Sequence, residues 1–147
     1  MQIPRKVDYG LRAVIYLSHQ DPNRSCSIAE IAAQQGVPKK FLEKILQDLI
    51  RSGFVRSKRG PSGGYSLAKS PGDISFQDII EALEGPVAVN VCMDQTQRCG
   101  HLSRCVMMGV WNEVQRRVME VFTRTTLADF RPAAGQATNS ISLSSAA

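Results

Sequence analysis

Residues 36–65 read GVPKKFLEKILQDLIRSGFVRSKRGPSGGY, and this stretch decides the fold. Pro38 suits the first position of a helix, where its missing N–H would have no partner in any case. Six apolar residues follow at helical spacing, and we expect all of them to be buried: Phe41, Leu42, Ile45, Leu46, Leu49 and Ile50. Gly53 ends this helix. Residues 55–67 then alternate around a glycine-rich turn at residues 60–64, which predicts a β-hairpin.

Two helices are predicted upstream of this stretch. Residues 5–19 carry apolar side chains at helical spacing. Ser27 and Glu30 form the S-x-x-E pattern of a capping box, so a second helix begins there. It ends at Gly36, which suits a left-handed C-terminal cap. A short helix, a tight turn, a second helix and a basic hairpin together predict a winged helix-turn-helix.

The rest of the chain predicts two more helices and an irregular segment. Ser75 and Asp78 form another capping box ahead of a fourth helix. A long helix from Val106 has apolar residues at near-heptad spacing, which is typical of a dimerisation helix: Trp111, Val114, Val118, Val121 and Phe122. We therefore predict a mainly α fold with a small β-hairpin. Its parts are a DNA-binding domain (1–85), a cysteine-containing sensor loop (86–105), the dimerisation helix (106–130) and a disordered tail (131–147).

Positive charge is concentrated in the predicted helix-turn-helix and wing. The whole chain has a formal charge of +5. Between residues 36 and 69 there are eight cationic side chains and only two anionic ones, so the rest is nearly neutral. Such a local cationic patch is typical of a protein that binds a polyanion. The alternative is a winged helix that binds another protein and has a merely solvated basic hairpin.

Double-stranded DNA is the predicted partner. Helix-turn-helix proteins place the first residues of their second helix at base edges in the major groove. Lys39, Lys40 and Glu43 stand there, since lysine can donate to guanine and glutamate can accept from cytosine. The hairpin would reach phosphates or the minor groove. The complete set of predicted DNA-binding residues is Ser27, Lys39, Lys40, Glu43, Gln47, Arg56, Lys58, Arg59, Gly63 and Gly64.

The sequence has no apolar run of membrane-spanning length and no signal-peptide pattern, so we expect a cytoplasmic protein without a membrane partner. Four cysteines in a reducing compartment favour metal, cluster or redox chemistry over disulfides. An enzyme with a catalytic cysteine needs a nearby base. The only histidines are His19 and His101, and neither lies in a recognisable catalytic pattern, so no catalytic residue is predicted.

Three cysteines are spaced as C-x6-C-x5-C at Cys92, Cys99 and Cys105. Zinc sites usually have cysteines two to four residues apart, whereas an iron–sulfur cluster can take ligands from a looser loop. Cys105 directly precedes the predicted long helix, whose positive dipole end would favour a thiolate. Buried free thiols are the alternative interpretation.

Residues 36–86, with the segments FLEKIL and RGPSGGY and the three cysteines that follow, resemble the bacterial regulators that include IscR, NsrR and RirA. The resemblance covers about residues 1–130. It implies a homodimeric winged-helix regulator whose long C-terminal helices cross. It also implies an iron–sulfur cluster on Cys92, Cys99 and Cys105 that controls DNA affinity.

The resemblance leaves the fourth cluster ligand open. The IscR branch has a histidine three residues after the last cysteine, where this chain has Met108. In the NsrR branch an aspartate of the partner's first helix can serve, and Asp8 stands at the matching position. An aspartate there also complements the helix dipole, and His101 is a competing ligand. Three thiolates and a carboxylate favour a [4Fe–4S] cluster, with [2Fe–2S] as the alternative.

The predicted function is therefore a homodimeric repressor that loses DNA affinity when nitric oxide, oxygen or iron shortage attacks its cluster. The alternative is a cluster-free regulator of the same fold. It would respond to cysteine thiol oxidation, a metabolite or a partner enzyme.

Overall fold

The computed structural model describes residues 2–94 and 99–130, so the predicted tail at 131–147 lies outside the described residues. The helices are α1 (Arg5–Ser18), α2 (Ile28–Gln35), α3 (Lys39–Arg51), α4 (Phe76–Glu84) and α5 (Met108–Arg124). The hairpin consists of β1 (Val55–Lys58) and β2 (Gly64–Leu67). Short 3-10 turns lie at Pro71–Asp73, Val91–Met93, Leu102–Arg104 and Leu127–Phe130. This confirms the mainly helical class with a small hairpin. None of the helices in the described ranges is long and apolar enough to cross a membrane.

The core forms where α1 packs against α2, α3 and α4. The buried side of α1 includes Val7 and Val14, and that of α3 includes Leu42 and Leu46, all fully buried. A Cβ atom at Gly10 would overlap the Leu83 side chain, so the glycine permits the close approach of α1 and α4. The first helix therefore fixes the position of the helix-turn-helix formed by α2 and α3.

The predicted helix caps are confirmed with one correction. Gly36 is left-handed, with φ of +62°, and ends α2. Ser75 and Asp78 form the full capping box of α4. At α2 only half of the box forms, since the Ser27 hydroxyl accepts the Glu30 N–H at 3.1 Å. The Glu30 carboxylate instead accepts hydrogen bonds from Tyr16 and Arg24, because these longer side chains reach it from outside the helix.

The prediction that Phe41 is buried is wrong, since its side chain is 64% exposed. Leu42, Ile45, Leu46 and Leu49 are buried as predicted. With 3.6 residues per turn, Phe41 lies roughly a quarter turn from Leu42, at the edge of the arc that the core covers. The prediction that Phe41 is buried rested only on its apolar side chain.

The wing is a short antiparallel hairpin in which Val55 pairs with Leu67 and Lys58 pairs with Gly64. The prediction placed Arg59 in the first strand, but it lies in the turn, and Gly64 begins the second strand. A further bridge extends the pairing beyond the hairpin. The N–H of Cys26 donates to Tyr65 O at 2.9 Å, and the N–H of Tyr65 donates to Cys26 O at 2.8 Å.

The segment after α5 returns to the winged-helix core. Leu127 is fully buried, and its N–H donates to Ile74 O at 2.9 Å. Phe130 stacks on Phe76 with ring centroids 5.3 Å apart. His19 Nε2 is 2.8 Å from Phe130 O. The C-terminal end of α5 is therefore fastened to α1 and α4.

The other end of α5 differs from the prediction. The helix begins at Met108, three residues after Cys105, because residues 102–107 form a 3-10 turn and a further turn. Cys105 O accepts the Met108 N–H at 3.3 Å. Cys105 thus lies outside the first helical turn, and the proposed influence of the helix dipole on its thiolate loses its basis.

Leu127→Ala is expected to lower the free energy of unfolding by about 2–5 kcal/mol, because it leaves a cavity in the shared core. Leu127→Met is the matched control and should cost less than about 1.5 kcal/mol, since it conserves volume. Urea unfolding followed by circular dichroism measures both. Equal effects of the two variants would show that the segment after α5 is not part of the core.

Candidate DNA interface and cysteine loop

The outward face of α3 is exposed and carries the predicted major-groove residues. Its members are Lys39, Lys40, Glu43, Lys44 and Gln47. In residues 2–94 and 99–130 the three lysines have no hydrogen-bonding or ion-pairing partner. Asp48, by contrast, is paired with Lys6 at 3.1 Å and with Arg51, and the hydrogen bond from Lys6 is the main cause of its lowered pKa. Asp48 is thus neutralised, whereas Glu43 stays exposed beside the outward lysines of α3, which remain available to phosphates.

Ser27 lies beside the wing. A groove of about 390 Å³ separates the start of α2 from the hairpin, and its lining includes Ser27, Arg24, Lys58 and Gly63. The structure therefore brings Ser27 together with two predicted wing residues. Arg24 was not among the predicted residues, because the loop at residues 20–25 has no recognisable motif.

The cations of the wing fall into two groups. Lys58 and Arg59 are exposed, and neither has a partner among the described residues. Arg56 is engaged instead, since its Nε donates to Ser66 Oγ at 3.0 Å and its NH2 donates to Pro22 O at 3.3 Å. Arg56 therefore connects the hairpin to the loop before α2, while Lys58 and Arg59 project free charge.

Both predicted wing glycines are required by the hairpin itself. Gly64 has φ of +149°, and a Cβ atom there would overlap the carbonyl of Cys26. A Cβ atom at Gly63 would overlap the carbonyl oxygen of Lys58. These contacts explain the glycines before any contact with DNA is considered.

A polar cluster that the sequence did not reveal holds α2 against α1. The Tyr16 hydroxyl donates to Glu30 Oε1 at 2.7 Å, and Arg24 NH2 donates to the same oxygen at 2.6 Å. The hydrogen bond from Tyr16 is the main cause of the lowered pKa of Glu30, and the same bond raises the pKa of Tyr16. No local sequence pattern identifies this cluster, because Tyr16 and Glu30 lie fourteen residues apart.

The cysteines of the loop differ from the remaining cysteine. Cys92, Cys99 and Cys105 are free thiols that are partly exposed, and Cys92 lies in the turn Val91–Met93. Cys26 is fully buried under the wing, and burial is the main cause of its raised pKa. The donor chemistry of the three loop thiols fits iron. However, the described part of one chain contains no group of three or more His, Cys, Asp or Glu side chains arranged to hold a metal ion.

Asp8 lies in the first turn of α1, where its half-exposed carboxylate is paired with Arg12 at 2.9 Å. His101 is exposed at the start of the turn Leu102–Arg104. Within the described ranges, neither residue forms a metal-binding group with the cysteines of its own chain.

The side chain of Gln115 attaches the start of the sensor loop to α5. Gln115 donates to Val87 O at 2.7 Å and accepts the Val89 N–H at 2.9 Å.

The apolar residues of α5 do not all face the same way. Of the predicted stripe, Phe122 contacts Phe76, with ring centroids 6.1 Å apart. The exposed apolar residues of the first half of α5 and the turn before it are Val106, Met107, Val110 and Val114. On the charged face, Glu113 is paired with Arg116 and Arg117, which lower its pKa to about 2.

Comparison with known proteins identifies the family. A family model described as Rrf2, iron-dependent transcriptional regulator, matches residues 3–132. The chain belongs to the Rrf2 family. It is 35% identical to an rrf2-like HTH-type transcriptional regulator of Rhodobacter capsulatus, over 92% of this chain and 95% of the relative.

Two solved structures are similar over most of the chain. CymR, the global cysteine regulator of B. subtilis, is 31% identical with a TM-score of 0.73, over 88% of this chain and 95% of that one. IscR of T. potens is 32% identical with a TM-score of 0.71, over 88% of this chain and 85% of that one. The chain is accordingly a winged-helix, DNA-binding transcriptional regulator and not an enzyme, which confirms the prediction at this level.

Gly64→Ala is expected to destabilise the protein by about 1–3 kcal/mol, because the new Cβ overlaps the Cys26 carbonyl and the positive φ becomes strained. It should also weaken DNA binding by displacing the wing. Gly72→Ala is the matched control. Its Cβ meets no atom within 4 Å, so its effect should stay within about 0.5 kcal/mol. Thermal unfolding and fluorescence anisotropy with duplex DNA measure the two effects, and equal behaviour of the two variants would contradict the prediction.

Proposed function

We propose that this chain is a homodimeric repressor whose affinity for DNA is controlled by an iron–sulfur cluster on Cys92, Cys99 and Cys105. The observation that carries the proposal is the contrast between these three thiols and Cys26. The three are partly exposed and uncommitted on a loop beside α5, whereas Cys26 is buried in the core. Accessible thiols can become thiolates that bind iron, whereas a thiol buried in apolar surroundings is inert.

The DNA interface in this proposal consists of the outward face of α3, the start of α2 and the wing. The first turn of α3 enters the major groove, where Lys39, Lys40 and Glu43 meet base edges. Lys58 and Arg59 of the wing contact phosphates. The unpaired cations on these elements support this arrangement, since they gain partners only when a polyanion binds.

The dimer in this proposal forms through the first half of α5. Val106 is 95% exposed and Val110 is 63% exposed, with Met107 and Val114 beside them. A group of exposed apolar residues on one segment is typical of an interaction site. Because a helix-turn-helix dimer reads two half-sites about one helical turn apart, pairing through α5 sets the distance between the two α3 helices.

The cluster in this proposal lies where two chains meet. One chain supplies the thiolates of Cys92, Cys99 and Cys105, and Asp8 of the partner subunit supplies a carboxylate. Asp8 is half-exposed in the first turn of α1, so its carboxylate is accessible to a second chain. The description of the family as iron-dependent supports iron as the metal. A [4Fe–4S] cluster would supply an iron open to nitric oxide or oxygen, and a [2Fe–2S] cluster is the alternative.

Arg59→Ala is expected to lower the slope of log affinity against log salt by about one unit, because one phosphate contact is lost. Arg117→Ala removes the same charge from α5, where Glu113 already neutralises it, and should leave the slope unchanged. Fluorescence anisotropy over a range of salt concentrations measures both. An identical slope for the two variants would remove the wing from the DNA interface.

Replacement of Cys92, Cys99 and Cys105 together by alanine is expected to abolish the visible absorbance, iron and sulfide of anaerobically purified protein. Cys26→Ala is the matched control and should retain all three, because this thiol is buried away from the loop. Asp8→Ala should retain the cluster but change its spectrum or its reaction with nitric oxide. A colourless wild-type protein without iron, whose DNA binding is unaffected by the triple replacement, would overturn the proposal.

A second candidate is a cluster-free regulator that senses through the loop thiols or through a metabolite or partner enzyme. The similarity to CymR, the global cysteine regulator of B. subtilis, favours it, as do the free thiols themselves. Iron-free protein whose DNA affinity falls on thiol oxidation and recovers on reduction would establish this alternative.

A further inference from the structure

Phe41 is a large apolar side chain exposed in the first turn of α3. It lies on an open depression of about 470 Å³, whose other lining residues are Lys6, Lys40, Lys44 and Ile45. The side chain is 64% exposed although the rest of the apolar side of α3 is well covered. An exposed phenylalanine is stabilised when a partner covers its ring.

The surroundings of Phe41 determine what kind of partner fits. Lys40 and Lys44 flank the ring and have no partner within the described ranges, while Lys6 is engaged with Asp48 and with Leu83 O. An apolar protein surface placed on Phe41 would bury the two free lysines without compensation, which is costly. A surface with phosphates around an isolated apolar group gives the ring an apolar contact and gives the lysines ion-pairing partners. The major groove of DNA has this chemistry at each thymine methyl group.

The position of Phe41 on α3 agrees with such a contact. It follows Lys39 and Lys40 in the turn that enters the major groove first in a helix-turn-helix complex. Apolar contact between phenylalanine and the C5-methyl group of thymine is an established mode of base reading. We propose that Phe41 reads one thymine methyl group in each half-site, an inference that rests on the proposed docking of α3.

The test uses the full chain, purified anaerobically, and duplexes that it selects from a random-sequence pool. Each thymine of a selected site is replaced in turn by deoxyuridine, which removes only the methyl group. Wild-type protein should bind about fourfold more weakly at one position in each half-site, as expected for loss of one buried methyl. Phe41→Ala should bind the thymine and deoxyuridine duplexes equally well.

Lys44→Ala is the matched control on the same face of α3. It should weaken binding to both duplexes while retaining the fourfold ratio, because it removes a phosphate contact and not the methyl contact. If Phe41→Ala retains the ratio, or if wild-type protein shows no sensitivity to any deoxyuridine, the inference is wrong. Sedimentation velocity supplies a further check, since dissociation of the dimer by Phe41→Ala would assign the ring to a contact between subunits. Failure of wild-type protein to select any sequence would instead overturn the docking of α3 itself.

Discussion

Two backbone hydrogen bonds between Cys26 and Tyr65 hold the wing against the start of α2, and the geometry of the DNA-binding surface depends on them. They place the N-terminus of α2, capped by Ser27, beside the hairpin. They also explain why Gly64 stands where the chains approach, because a side chain there would overlap the Cys26 carbonyl. Since Arg56 adds a hydrogen bond to Pro22 O, the wing is attached at several points. Its orientation relative to α2 is therefore part of the fold rather than a consequence of binding DNA.

The distribution of ion pairs separates structural charge from charge that is available for binding. Asp48, Glu30 and Glu113 each neutralise neighbouring cations on or between helices. Exposed pairs of this kind contribute little stability, but they remove anions from the surface that would otherwise repel phosphates. The cations left unpaired in the described ranges lie largely on the outward face of α3 and on the wing. The positive patch thus arises as much from where the acidic residues are placed as from the number of lysines and arginines.

The sequence predicted the features that depend on neighbouring residues. It did not predict the features that depend on contacts between distant segments of the chain. Gly36 and Ser75 act within a few residues of chain, so their roles as helix caps were predictable. Gly64 is required instead by the carbonyl of Cys26, which is distant in the chain. Glu30 satisfied a local capping pattern, yet its carboxylate bonds to Tyr16, fourteen residues away. Phe41 fits the apolar periodicity of α3, but periodicity does not show how much of the surface of α3 the neighbouring helices bury. The burial of Leu127 in the core likewise depends on how the chain turns back after α5, and no local sequence pattern indicates this turn.

In the proposed function, the attachment of α5 at its C-terminal end and at its middle limits how a signal at the cysteine loop can reach DNA. Leu127 and Phe130 fasten the C-terminal end to the winged-helix core, and Gln115 fastens the loop to the middle of the helix. A change at the loop therefore has little freedom to move α3 within one subunit. In the proposed dimer, the remaining freedom is rigid-body rotation of one subunit against the other across the exposed apolar residues of α5, a common form of switching. Because two half-sites must be matched at once, a small rotation there is sufficient to change affinity.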